Sequence, residues 1–347
     1  MKRMKRQSRA VGVLFISFVL AMGLTILFSH TAVSAGESFK ARYSYHWFPT
    51  HHLAVYSEKF AQLSKEETKG RLEVTTYPSG QLYGARDAIA AVSQGSVEMA
   101  GCIALTLASA APEFGMDSLM MLFDSYEQQR KAWGTEPGKA VIAKVEQRLG
   151  VKLLCRFPNG PACPFTSGKK VQNLEDFKGL KARLISASEK PFWEALGVST
   201  VSMSTEQVYT SMQQGMINAI WTIPIAIKSY SWWDFIKYGT LPYIAYPDSL
   251  IVVNAKWWTS LPQEVRDTVF KKVVPKIEKD STDFVMEDAK AILEEFVKQK
   301  GGTISTLIAH DIKTLKEICV EKVYPVSITK YDPAFWGAIA KEQGLKK

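Results

Sequence analysis

The sequence predicts an α/β protein built as two similarly constructed lobes, with a long helix packed across both. Three observations carry this expectation. Short β-like runs alternate with helical patterns over most of the chain, one stretch of that alternation recurs later, and two long helical patterns follow both copies.

The first copy opens on Phe39-Lys40-Ala41-Arg42, read as a strand. Leu53, Tyr56, Phe60 and Leu63 then recur at helical spacing, Gly70 supplies a stop, and Leu72 to Tyr77 reads as a strand ended by Pro78-Ser79-Gly80. A helix over Ile89 and Val92 stops at Gly95, and Ser96 to Ala100 follows as a strand. The second copy opens on Leu180-Lys181-Ala182-Arg183. In it, Ser204 and Gln207 have capping-box spacing ahead of a helix with Val208, Tyr209 and Met212, which stops at Gly215 before a buried strand over Met216 to Trp221. Both second helices end in Gln-Gly, at Gln94-Gly95 and Gln214-Gly215. Two lobes joined by extended crossovers leave a cleft, and in open α/β sheets ligands sit beyond the carboxyl ends of the strands. The expected division is 36–156 with part of 244–275 for the first lobe, and 157–243 with the C-terminal helices 276–347 for the second. Gln263 to Val274 and Lys276 to Lys300 read as helices, with Pro275 a kink or break between them and Val265, Val269, Val273, Ile277, Phe284, Ile292 and Phe296 as a one-sided apolar stripe. After Gly301-Gly302 the tail reads as a short strand plus helix.

With 347 residues, 46% hydrophobic and 22% charged, the chain is long enough for a sizeable core. The net charge of +9 is concentrated at the start, in Lys2, Arg3, Lys5, Arg6 and Arg9, ahead of any acidic residue. Val11 to Phe28 follows as an apolar run, then Ala32-Val33-Ser34-Ala35. This predicts a signal peptide over 1–35, cut after Ala35; the alternative is an uncleaved anchor, since the run approaches the roughly 18 to 20 residues that span a bilayer. Beyond it the balance is 38 basic against 34 acidic residues, too mild a surplus to argue for a nucleic-acid partner. Trp221 to Tyr246 is too interrupted to span, by Pro224, Lys228, Asp234, Lys237 and Pro242.

Catalytic motifs are missing: the chain has no Gly-x-Ser-x-Gly, His-Glu-x-x-His or Gly-x-Gly-x-x-Gly, so no catalytic residue and no cofactor is expected. His51 and His52 are adjacent, which does not give two ligands on one helix face, and no Cys-x-x-Cys pair occurs, so no metal is expected. Cys155 and Cys163 flank Asn159-Gly160-Pro161, a turn signal, which leaves open both a bridge across a hairpin and two buried free thiols. Arg183 sits in a strand whose alternate positions Leu180, Ala182 and Leu184 are apolar. A guanidinium held there needs an anionic partner, either an internal carboxylate such as Glu206 or Glu175, or a ligand carboxylate gripped bidentately.

From His46 to Ala255 the chain resembles the periplasmic solute-binding subunits of tripartite ATP-independent periplasmic (TRAP) transporters, the DctP-like family. The likeness is carried by Lys59-Phe60-Ala61, Gly70-Arg71-Leu72-Glu73-Val74, Tyr77-Pro78-Ser79-Gly80-Gln81-Leu82, Gln94-Gly95, Asp176 to Arg183, Leu196-Gly197, Val208-Tyr209 and Gln213-Gln214-Gly215, in the family's order. The resemblance implies a two-lobed, periplasmic-binding-protein-like α/β fold with a long helix spanning both lobes. It also implies a protein without a catalytic step, which closes over an organic acid and delivers it to TRAP membrane subunits. In the family the Arg of the Gly-x-Lys-x-Arg segment pairs with the substrate carboxylate, which here falls on Arg183.

Departures from the family pattern narrow the expected ligand. Asn159-Gly160-Pro161-Ala162-Cys163 lacks the second arginine that sugar-acid binders carry, Thr222 stands at the family's Asn position, Ala85 and Ile103 replace acidic contacts, and Leu119-Met120 replaces Pro-Phe. What remains is one cation, Arg183, with Thr222 to assist it and Trp221, His46 and Trp47 to shape the pocket, beside Phe48. This favours a monocarboxylate with an apolar or aromatic body, since unmet hydroxyls cost ~1 to 3 kcal/mol each when buried. A small hydroxy or keto acid or a C4-dicarboxylate is the alternative. Trp193, Trp232, Trp233, Trp257 and Trp258 are assigned to ordinary packing. From other classes, a periplasmic hydrolase or isomerase using His51 or His52 and a membrane-tethered ligand sensor compete.

Overall fold

A computed structural model describes residues 37–109 and 112–345, so the expected signal peptide and its cut after Ala35 lie outside the described residues. Among those described, no helix is long and apolar enough to cross a membrane.

The first repeat runs β1 (Phe39–Tyr45), α1 (His52–Glu67), β2 (Leu72–Tyr77), α2 (Ala88–Gln94), β3 (Met99–Ile103). Leu53, Phe60 and Leu63 bury the inner face of α1, and the chain reverses beyond it through Gly70, whose φ of +80° is left-handed space that glycine enters without a Cβ penalty. β1 lies between β2 and β3, parallel to both, with Tyr43 opposite Thr76 on one side and Met99 on the other. After β4 (Val151–Pro158) and β5 (Cys163–Thr166) the second repeat runs β6 (Lys181–Leu184), α3 (Lys190–Ala195), β7 (Ser199–Ser202), α4 (Val208–Gln213), β8 (Ala219–Thr222). β6 again lies between its two partners, parallel to both, with Ala182 opposite Thr200 and Ala219. The Gln207 carboxamide accepts from the Ser204 amide at 2.9 Å, as the capping box requires.

The likeness extends further than the repeats. With β9 (Tyr238–Leu241), β10 (Asp248–Asn254) and β11 (Thr303–Thr306), the two sheets are ordered β2-β1-β3-β10-β4 and β7-β6-β8-β5-β9-β11. In each, an antiparallel strand from elsewhere in the chain follows the three parallel ones: β10 on β3, and β5 on β8. The molecule is therefore two-lobed, one sheet to a lobe.

Two extended connectors run between the sheets, Asn159 to Ala162 and Pro242 to Pro247. They are held together by the Asn159 amide to the Pro247 carbonyl (2.9 Å) and by pairing of Ala162 with Ala245. Asn159-Gly160-Pro161 thus does not close a hairpin: β4 pairs with β10, β5 with β8 and β9, and Cys155 and Cys163 belong to different sheets. All four cysteines are buried free thiols. Gly160 is required where it stands, with φ +121°, and a Cβ there would crowd Val285 and Ile223 at 3.3–3.4 Å.

The long helix α5 occupies 263–300 and is not broken at Pro275, where a kink or break was expected. Proline lacks an N–H and its ring would strike the carbonyl four residues back. Here a π-turn over Val269–Val273 widens the helix just before it and absorbs both problems. The same device, Cys319–Val323, precedes Pro325 in the C-terminal helices. Val265, Val269, Val273 and Ile277 pack into the first lobe's core and Phe296 into the second's, each burial contributing about 1.5–3 kcal/mol. Through this stripe α5 packs on α1 and β4 at one end and on β11 and the helix Pro224–Ser229 at the other.

Candidate functional site

Both repeats present the carboxyl ends of their parallel strands to the space between the lobes, and the residues just past those ends meet there. A cavity in which the centre of a water molecule can move through about 40 Å³ is lined by His46 and Trp47 beyond β1, Ile103 at the end of β3, Arg183 in β6, and Trp221 and Thr222 at the end of β8. All five residues singled out from the sequence, Arg183, Thr222, Trp221, His46 and Trp47, therefore border one cavity. The connectors contribute Asn159 and Pro247. The lobes are drawn close over it: the Phe48 and Tyr230 rings lie 5.0 Å apart, and Arg86 donates to the Ser202 hydroxyl at 3.4 Å.

Arg183 is 4% exposed. Its Nε donates to the Met203 carbonyl at 3.3 Å and its Nη2 to the Thr205 hydroxyl at 2.9 Å, while the Trp232 ring lies 5.9 Å from the guanidinium carbon. Among the described residues no carboxylate comes within 4.0 Å of it; Glu175 pairs instead with Lys178 at 2.5 Å, and Glu206 is exposed. Burial pulls the Arg183 pKa down to about 10, against the holding effect of Glu189, Tyr230 and Glu206 at longer range, so it remains a cation at neutral pH. Glu189 is buried beside this region, accepting from the amides of Ile185 (3.1 Å) and Ser186 (3.3 Å), and burial pushes its carboxyl up to about 7. Among the described residues the Thr222 hydroxyl has no hydrogen-bond partner.

The first lobe's wall is aromatic and neutral. Trp47 is 1% exposed, stacked 5.6 Å from Tyr45 and packed over Gly101, where a Cβ would stand 2.5 Å from its ring. His46 lies 5.2 Å from Trp47, and burial lowers its pKa to about 4, so it is uncharged at neutral pH. Among the described residues neither ring nitrogen of His46 nor the Trp47 indole nitrogen has a partner. The Trp221 indole nitrogen also lacks a hydrogen bond of normal geometry, although it lies near enough to Glu189 to help hold that carboxyl down.

His51 and His52 serve the fold. His51 Nδ1 accepts the Leu53 amide as the N-cap of α1, His52 Nε2 lies 3.3 Å from the Pro158 carbonyl, and the two rings stack at 4.7 Å. Among the described residues no group of three metal-capable side chains assembles. The cavity also takes in residues that the sequence reading passed over. Trp232, assigned there to packing, lines it in a stack with Tyr230 at 5.0 Å, and Thr205 lines it too; His51, weighed from the sequence only as the residue of a rival enzyme, also borders it. Trp193 does pack in the core, against Phe177 and Phe192, and Trp233 lies under Lys228 and Lys300 on the second lobe. No local pattern distinguishes Trp232 from Trp193; only the long-range fold does.

A two-lobed α/β protein with a cavity at the mouths of both sheets and a buried cation in its wall has the architecture of a solute-binding protein, and comparison with known proteins gives the family. The profile of bacterial extracellular solute-binding protein family 7, DctP, matches residues 43–327, and the chain belongs to that family of TRAP transporter receptors, which are transport components and not enzymes. The C4-dicarboxylate-binding periplasmic protein DctP of Rhodobacter capsulatus is 28% identical over 237 residues, 67% of this chain and 68% of the relative. DctP7 of Bordetella pertussis, an extracytoplasmic solute receptor binding pyroglutamic acid, superposes with a TM-score of 0.80 at 21% identity, covering 88% of this chain and 100% of that one. A TRAP periplasmic solute-binding protein of Desulfovibrio salexigens with bound orotic acid superposes at 0.79 and 23% identity, covering 88% and 98%.

Proposed function

We propose that this protein is exported by a leader cleaved after Ala35 and acts in the periplasm as the receptor of a TRAP-type importer. It captures a monocarboxylate with a compact apolar or aromatic body and passes it to the membrane subunits. The lobes divide at 36–156, with part of 244–275, and 157–243, with 276–347. Closure is driven by contacts the acid makes only when both lobes surround it.

One observation carries this reading: a guanidinium in an apolar setting between the lobes, with no carboxylate of the described residues within ion-pair distance. Thr205 orients it, Thr222 offers a free hydroxyl to the same carboxylate, and Trp221, His46 and Trp47 enclose the remainder. Pyroglutamic and orotic acids, bound by two of the similar structures, are compact ring acids. The dicarboxylate named for the Rhodobacter relative would need a second cation, and Arg183 alone supplies positive charge among the described residues lining the cavity.

A thermal-shift screen over organic acids tests it. At a hundredfold excess over Kd a ligand adds about 2.7 kcal/mol to stability, a rise of roughly 4 °C for a chain of this size. Compact monocarboxylates should give that rise and succinate should not. A panel in which succinate shifts the protein most, or no acid does, would overturn the assignment.

A further inference from the structure

The first lobe's wall holds hydrogen-bonding groups that a plain hydrocarbon body cannot serve. Both ring nitrogens of His46 and the indole nitrogen of Trp47 are cut off from solvent and have no partner among the described residues, and both residues line the cavity. A neutral imidazole carries one N–H and one lone pair, and the indole adds a second N–H. Set against an open form in which water reaches these groups, closing the lobes over hydrocarbon would cost about five- to a hundredfold in affinity for each group left dry. A second carboxylate is no remedy, because no cation besides Arg183 lines the cavity among the described residues.

Resting on the function proposed above, we infer that the ligand carries, besides its single carboxylate, a neutral amide or lactam that is read by His46 and Trp47. An amide places a donor and an acceptor on two different atoms, so it can serve both rings, whose centroids lie 5.2 Å apart. A hydroxyl would have to meet both from one oxygen. The carboxylate end goes to Arg183 and the amide end to the first lobe, so only a molecule holding both functions bridges the lobes. His46 is thus a specificity-determining residue and Arg183 the anchor.

Isothermal titration of the full mature protein with three probes tests this: L-5-oxoproline, cyclopentanecarboxylate, which has the same ring size without the amide, and succinate. The wild type should bind oxoproline at least thirtyfold more tightly than cyclopentanecarboxylate. His46→Phe should compress that ratio to within about threefold, chiefly by weakening oxoproline. His46→Asn, which keeps a donor and an acceptor, should recover part of the preference. A circular-dichroism melt of each variant separates misfolding from lost recognition, with His46→Asn as the second reading should the Phe variant not fold. Equal affinity for oxoproline and cyclopentanecarboxylate, or a ratio unchanged in both His46 variants, would overturn the inference while leaving the carboxylate receptor intact. Binding of every acid undiminished by Arg183→Ala would instead overturn the underlying reading.

Discussion

Arg183→Met is expected to abolish acid binding and yet leave the ligand-free protein at least as stable as the wild type. The two effects share a cause. A cation at 4% exposure is desolvated, and with no carboxylate among the described residues within 4.0 Å that cost is not returned by a close ion pair. An apolar side chain of similar length removes the desolvation at the expense of two hydrogen bonds, to the Met203 carbonyl and the Thr205 hydroxyl. For the bound state the balance reverses, because a buried charge-assisted pair is lost, typically 2–5 kcal/mol or about thirty- to several-thousandfold in Kd. Titration calorimetry and a ligand-free melt measure the two halves separately. A variant that binds acids normally, or whose ligand-free Tm drops by many degrees, would show that Arg183 is a structural residue.

The second large effect is expected at Arg156, behind the connectors. Its Nη2 pairs with Asp117 at 2.5 Å and its Nε with Asp248 at 3.4 Å, both carboxylates fully buried, and the guanidinium lies 4.5 Å over the Trp133 ring. The Trp133 indole donates to the other oxygen of Asp117. Asp248 opens β10 directly after Pro247, and Arg156 lies on β4 two residues before Pro158, so this cluster anchors both strands from which the crossing segments leave. Arg156→Met leaves two buried carboxylates without their cation, and a loss of about 3–5 kcal/mol is expected at pH 7.5. Burial already pushes Asp117 up to about 6 in the wild type, against the opposing pull of Arg156, and burial raises Asp248 as well. A carboxyl raised in the folded state contributes stability that is complete below its unfolded pKa and is lost as pH rises through the folded one. Without Arg156 both carboxyls climb further, so the folded variant takes up protons that the unfolded chain does not. Lowering the pH from 7.5 to 5.5 should therefore narrow the gap to wild type. Urea melts at the two pH values measure it, and a penalty under 1 kcal/mol or independent of pH would contradict the account.

The repeat was legible because it is local: each copy writes its strand, helix and glycine stop within consecutive residues, whereas Arg183, Thr222, Trp221, His46 and Trp47 were singled out as a site only through the resemblance to the family and the departures from its pattern. What the sequence concealed is non-local. Asn159-Gly160-Pro161 carries turn chemistry, but whether β4 and β5 pair depends on β10, which arrives some ninety residues later to claim β4. Pro275 looked like a break because the chain does not announce a π-turn upstream. Trp232 and Tyr230 reach the cavity through a surface of the second lobe that has no motif, and the polar hunger of the first lobe's wall, His46 and Trp47 without partners, is visible only once their neighbours are fixed.

The central claim is that Arg183 waits between the lobes for a ligand carboxylate. A crystal structure of the protein with the tightest acid from the screen tests it most directly. The account predicts carboxylate oxygens within hydrogen-bond distance, about 2.7–3.2 Å, of the Arg183 guanidinium nitrogens, with the acid's body against His46, Trp47 and Trp221. An acid bound with its carboxylate elsewhere, or Arg183 turned onto Glu189 or Glu206, would contradict it.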